Sequence, residues 1–97
     1  MKFEWDPAKA ATNIIKHGIR FEEAVTVFKD PLALIFDDLY HSEQEHREII
    51  IGMSALRRML LVCFTERRED VVRLINARRA TAQEKQDYEE NARNQNP

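Results

Sequence analysis

The sequence predicts an α+β domain: a helical hairpin packed on a four-stranded antiparallel sheet, closed by a C-terminal helix. Three observations predict it. Two helical patterns with matched start and stop signals precede Pro31. Short apolar, β-branched runs then alternate with polar links as far as Ala77. Finally, Thr81-Ala82-Gln83-Glu84 spells a capping box.

Phe3-Glu4-Trp5 is long enough for an edge strand at most. Asp6-Pro7 opens the first helix, because Asp accepts from free backbone donors and Pro fits the first helical position. The helix is expected over 7–17, with Ala11, Ile14 and Ile15 on one apolar face. Gly18 stops it, and Lys16-His17 sit in the last turn, where positive charge suits the helix dipole. A second helix is expected over 21–29, with Phe21, Ala24, Val25 and Phe28 as its stripe and Glu22-Glu23 in its first turn. Asp30-Pro31 ends it.

Residues 32–36 read as a buried strand, 46–52 as a β-branched one, 58–65 as the central strand and 71–77 as the last. Links this short favour an antiparallel meander. The polar stretches 37–45 and 66–70 read as turns. A final helix, mostly polar and anchored by Tyr88, follows the capping box. One domain over 1–92 is expected, with 93–97 a flexible tail.

The 97 residues are 43% hydrophobic and 33% charged, which excludes wholesale disorder. No run approaches the ~20 apolar residues that span a bilayer, and the acidic, aromatic N-terminus is unlike a signal peptide. The single Cys63 lies in an apolar run and reads as a small buried hydrophobe or, less simply, a reactive thiol. A cytoplasmic setting and no membrane contact are therefore expected. The net charge of −2 hides an asymmetry: 57–79 holds seven arginines, no lysine and three acids. That segment carries about +4, against about −6 elsewhere. Such a surface suits phosphate or an acidic partner, and equally a solvated sheet edge.

Glycine-rich phosphate loops and paired-cysteine zinc motifs are absent from the sequence. His41 and His46, with Glu43 or Glu45, lack a tight metal-ligand spacing, and Ser42 and Ser54 lie in no nucleophile motif. Neither a metal nor a cofactor is expected. The remaining residues suit phosphodiester cleavage in RNA, which needs a base, an acid and cations for the charged phosphorane. Lys16, His17, Glu66 and Tyr88 are candidates for proton transfer, beside the arginines. Lys16 and His17 also read as plain helix-end residues, and a binding module that cleaves nothing fits the same composition.

Three blocks carry a resemblance. They are Phe3-Glu4-Trp5-Asp6-Pro7-Ala8-Lys9 with Asn13, Lys16-His17-Gly18-Ile19, Phe21-Glu22-Glu23-Ala24, Phe28 and Asp30-Pro31; then 38–47 with His41-Ser42-Glu43, Glu45 and Arg47; then Phe64-Thr65-Glu66-Arg67, 72–80 and Glu84. In this order they closely resemble the BrnT family. The resemblance implies a RelE-like fold and a ribonuclease toxin that suppresses translation. It also implies a BrnA-like antitoxin that neutralises the toxin and carries the complex to operator DNA. Arg67 and Arg78 fall in signature blocks and are expected to be catalytic with Lys16 and His17; Arg73, Arg79 and Arg47 are expected to contact RNA. A hairpin turning at 66–70 puts Arg67 near the turn, Arg73 close to it and Arg78 at the far end. Two departures stand out: Asn76, where the family often has serine, and Leu56-Arg57, where relatives often carry glycine.

Overall fold

The computed structural model describes residues 1–41 and 45–95. Its elements run β1 (Lys2–Glu4), α1 (Pro7–His17), α2 (Phe21–Thr26), β2 (Leu34–Asp37), β3 (Glu48–Met53), β4 (Met59–Arg68), β5 (Val71–Arg79) and α3 (Ala82–Asn94). Short 3₁₀ turns occupy Val27–Lys29 and Leu39–His41.

The sheet has five strands in the order β1-β5-β4-β3-β2, not the expected four antiparallel ones. β1 pairs parallel with β5, Lys2 opposite Val71 and Glu4 opposite Arg73. Three residues suffice because Phe3 is held from the side: its ring packs edge-on to Phe28 at 5.0 Å, and Phe28 does the same to Phe64.

α1 begins and ends where its chemistry dictates. Asp6 accepts from the Ala8 amide at 2.8 Å, Pro7 is the first helical residue, and Gly18 closes the helix at φ 70°. Its burial differs from expectation: Ile15 is 84% exposed and Ile14 40%, while Asn13 is buried. The partner of Asn13 lies outside the helix: the side-chain amide bonds both the carbonyl and the N–H of Ala77 on an open stretch of β5 backbone. α1 and α2 therefore lie mainly on the sheet instead of forming a mutually packed hairpin. α2 is also shorter than expected, tightening to a 3₁₀ turn at Val27.

Strand residues alternate between two cores. Ile50, Leu60, Val62, Phe64, Val72 and Leu74 face α1 and α2. Ile51, Leu61 and half-buried Cys63 face the other way, where α3 inserts Tyr88. β2 is an edge strand, not a buried one; Ile35 and Phe36 are both exposed. β4 and β5 run past the expected ends, leaving Glu69-Asp70 as the turn. α3 continues through Asn94, beyond the expected boundary at 92, and 96–97 lie outside the described residues.

Candidate active site

The β4–β5 register contains two irregularities. Cys63 pairs with Asn76 but Phe64 with Leu74, so Ile75 is the extra residue on β5. Glu66 pairs with Val72 and Arg68 with Val71, so Arg67 is the extra residue on β4. Bulges of this kind bend a strand and re-aim side chains.

Beyond Arg73, β5 has no strand on its outer side, because β1 reaches only that far. α1 closes this edge. The Asn13 amide donates to the Ala77 and Ile19 carbonyls, both at 2.8 Å, and its Oδ1 accepts from the Ala77 N–H at 2.9 Å. All of its usual hydrogen-bonding capacity toward backbone is thereby spent on joining helix to strand. Between them a groove of about 460 Å³ opens, lined on α1 by Lys9, Thr12, Lys16 and His17 and on β5 by Ile75, Asn76 and Arg78.

Arg78 is held from the α3 side. Its two terminal nitrogens donate to the two Glu84 carboxylate oxygens, each at 2.8 Å. Glu84 Oε1 also accepts from the Thr81 amide at 2.8 Å, and Thr81 Oγ1 accepts from the Glu84 amide at 3.2 Å. The Arg78 hydrogen bond, outweighing burial, holds the Glu84 carboxyl below the usual carboxylate range. Asn76 sits opposite Cys63 in the β4–β5 ladder, and burial, first, pushes the Cys63 thiol pKa up.

Three of the four expected catalytic residues, Lys16, His17 and Arg78, thus line one groove. Arg67 does not. Arg78 sits opposite Leu61, six residues before Arg67 on β4, a span of roughly 20 Å of strand. Arg67 instead approaches Glu45 at 3.7 Å, and the same carboxylate accepts from Arg47 Nε at 3.3 Å. Arg73 pairs with Glu4 across the β1–β5 ladder at 2.8 Å. Arg79, opposite Leu60, falls on the α1–α2 side, where its charge helps to hold Glu23 ionised.

The other sequence candidates take different positions. Tyr88 donates to Asp30 Oδ2 at 2.7 Å and is pushed up to about 12 by burial and that bond, a packing role. Glu66 is exposed near the β4–β5 turn. His41 and His46 each meet one aspartate, Asp38 and Asp37. Ser42 and Glu43 lie outside the described residues. Ser54 donates to buried Glu23 at 2.7 Å, which also takes Arg58 through both its oxygens, so this cluster braces α2 against the β3–β4 turn. Asn13, Asn76 and Glu84 also shape the site, although the sequence signals for them are weak. For Asn13 the available signal was an amide on the same helix side as Ala10, and for Glu84 a capping box placed six residues after an arginine.

The family model for the ribonuclease toxin BrnT of type II toxin–antitoxin systems matches residues 5–84. The chain belongs to the BrnT family. The crystal structure of the Brucella abortus ribonuclease toxin BrnT superposes with a TM-score of 0.65 at 26% sequence identity. That likeness covers 84% of this chain and 97% of the other. No curated protein matches the chain. Membership in the BrnT family carries ribonuclease activity and an antitoxin partner, and the BrnT match includes every groove residue together with Glu84. No helix among the described residues is long and apolar enough to cross a membrane.

Proposed function

We propose that this BrnT-family chain is an endoribonuclease that cuts RNA by attack of a ribose 2′-hydroxyl on the adjacent phosphate, without a divalent metal. The observation that carries the reading is the convergence of Lys16, His17 and Arg78 on the groove between α1 and β5. His17 takes the 2′-hydroxyl proton, histidine being suited to proton exchange near neutral pH. The freed oxygen attacks phosphorus, and the bond to the 5′-oxygen breaks. Lys16 and Arg78 offset the charge that builds on the phosphorane. The leaving 5′-oxygen takes a proton from water, His17 returns its own to solvent, and the products are a 2′,3′-cyclic phosphate and a 5′-hydroxyl. The groove lining contains cations and amides but no carboxylate of the kind that cages a hard divalent cation. Arg47, Arg67 and Arg73 serve as phosphate contacts that hold the flanking RNA, and Arg79 adds positive charge near the end of β5.

Cleavage of cellular RNA in the cytoplasm would suppress translation, and a BrnA-like antitoxin would silence it. That partner reaches operator DNA; the toxin does so only within the complex. An acidic amphipathic segment suits the task. The outer side of α1 presents Ile14 and Ile15 beside Lys9, Lys16 and His17, and the helix carries no acid. The test is purified protein incubated with RNA in excess EDTA, with end-group analysis. Cyclic phosphate ends that disappear in an Arg78→Ala preparation support the reading. Activity lost in EDTA and restored by magnesium overturns the metal-free mechanism, and intact RNA in every condition leaves a binding module.

A further inference from the structure

We propose that Glu84 is a positioning residue for the reaction, holding the Arg78 guanidinium so that one edge of it faces the groove; this rests on the ribonuclease reading above. The argument begins with a donor count. A guanidinium has five N–H donors in a fixed plane. In Arg78 two go to Glu84, one from each terminal nitrogen, and a third, from Nη1, reaches the Arg79 carbonyl at 3.2 Å. What is left is Nε–H and one Nη2 proton, which lie along the same side of the plane. Two parallel donors on one edge are what a phosphate accepts in bidentate fashion. Arg78 is among the groove residues, and this edge is the one that its bonds to Glu84 and Arg79 leave open to a ligand there.

A helix cap alone does not require this arrangement. The capping box uses one Glu84 oxygen, which accepts from the Thr81 amide. The second oxygen and the remaining lone pair of the first serve Arg78. Glu84 is in turn immobilised by the box, since its own amide donates to Thr81 Oγ1. The start of α3 thereby fixes a carboxylate, and the carboxylate fixes a cation before RNA arrives. Preorganisation of this sort removes the cost of ordering a long side chain during the reaction. An arginine released from Glu84 would still be charged but would sample many rotamers.

Glu84→Gln separates the two roles, because glutamine retains the box through its carbonyl oxygen but loses bidentate acceptance. The expected result is a ten- to hundredfold fall in kcat for RNA cleavage, KM within about threefold of wild type, and little change in Tm. Gly52→Ala, at a crowded position away from the groove and the capping box, is the opposite control: a lower Tm with kcat near wild type. Nitrogen-15 spectra of the Arg78 side chain give a readout free of activity, with slow rotation of the terminal nitrogens in wild type and averaged signals in Glu84→Gln. Wild-type kcat in Glu84→Gln, while Arg78→Ala is inactive, overturns the positioning role and leaves the ribonuclease reading standing. So does rapid rotation of the Arg78 nitrogens in the wild-type protein. Wild-type protein that cuts no RNA overturns the ribonuclease reading and this role with it.

Discussion

Asn13 and Ala77 are joined by a reciprocal pair of hydrogen bonds, side-chain amide to backbone carbonyl at 2.8 Å and backbone amide to side-chain oxygen at 2.9 Å. The contact copies the geometry of a strand partner with a single side chain. It fixes the distance between α1, which carries Lys16 and His17, and β5, which carries Arg78. Both walls of the groove therefore depend on one buried residue.

Asn13→Ala should unfold more easily by about 2–4 kcal/mol, since it strands the amide and carbonyl of Ala77 and removes the bond to Ile19. Asn13→Asp should be at least as damaging, because a carboxylate cannot donate to the two carbonyls. Urea denaturation of the three proteins measures this. A change below 0.5 kcal/mol in both variants would mean that the edge is satisfied in another way.

Arg78→Ala should lower the cleavage rate by ~10²–10³, the typical cost of one preorganised charge stabiliser, while Tm moves by only a few degrees. Arg78→Lys should recover part of it, a point charge being unable to contact phosphate with two parallel donors. Arg67→Ala should act differently. Sited at the far end of β4, it should weaken RNA binding and steepen no chemical step, so KM rises with kcat nearly constant. Arg68 is a poor control for Arg67, because the bulge between Glu66 and Arg68 breaks the alternation of faces. Steady-state kinetics on one defined RNA separates the cases.

Stability should fall at both ends of the pH scale for identifiable reasons. Burial opposes ionisation of Asp30, but the Met53 and Leu32 amides and the Tyr88 hydroxyl together hold its carboxyl below the usual range. Arg58, chiefly, does the same for Glu23. For a depressed folded pKa the stabilisation is present above the unfolded value and lost as pH falls through the folded one. These losses therefore begin below pH 4.5 for Glu23 and below 3.8 for Asp30. Tyr88 is raised from 10.0 to about 12, so its contribution is complete below pH 10 and disappears as pH climbs toward 12. Tyr88→Phe should cost about 1 kcal/mol at pH 7 and flatten the alkaline limb. Thermal melts from pH 3 to 12 test all three signs.

Arg57 occupies the left-handed region at φ 63° in the turn between β3 and β4. A side chain there costs roughly 1–2 kcal/mol, partly offset by the greater chain entropy that glycine loses on folding. Arg57→Gly should therefore stabilise the fold by about 0.5–1 kcal/mol. Gly52 at the end of β3 should show the opposite sign. A Cβ on it would stand 2.9 Å from Val27 Cγ1 and 3.2 Å from both Ala33 Cβ and Asp30 Oδ2. Gly52→Ala should cost about 1–3 kcal/mol by overpacking. Paired melting curves decide both, and equal signs would defeat the argument.

The chain's sequence, by itself, determined the features whose causes are neighbours in the chain. Asp6-Pro7 and Gly18 bound α1 and Thr81 to Glu84 opens α3, because a cap is satisfied within three or four residues. The β-branched runs of β3, β4 and β5 were legible for the same reason, and three ordered sequence blocks pointed to the BrnT family. Tertiary structure alone decided what lies opposite what. β1 became a fifth, parallel strand, held by Phe28, 25 residues away, which packs edge-on against Phe3. The α1 stripe of Ala11, Ile14 and Ile15 turned outward because an unpaired stretch of β5 backbone demanded Asn13 instead. Lys16, His17 and Arg78 share a groove while Arg67 stands apart, because strand register sets the distance between residues in the sheet, and register follows from pairings that no local pattern encodes.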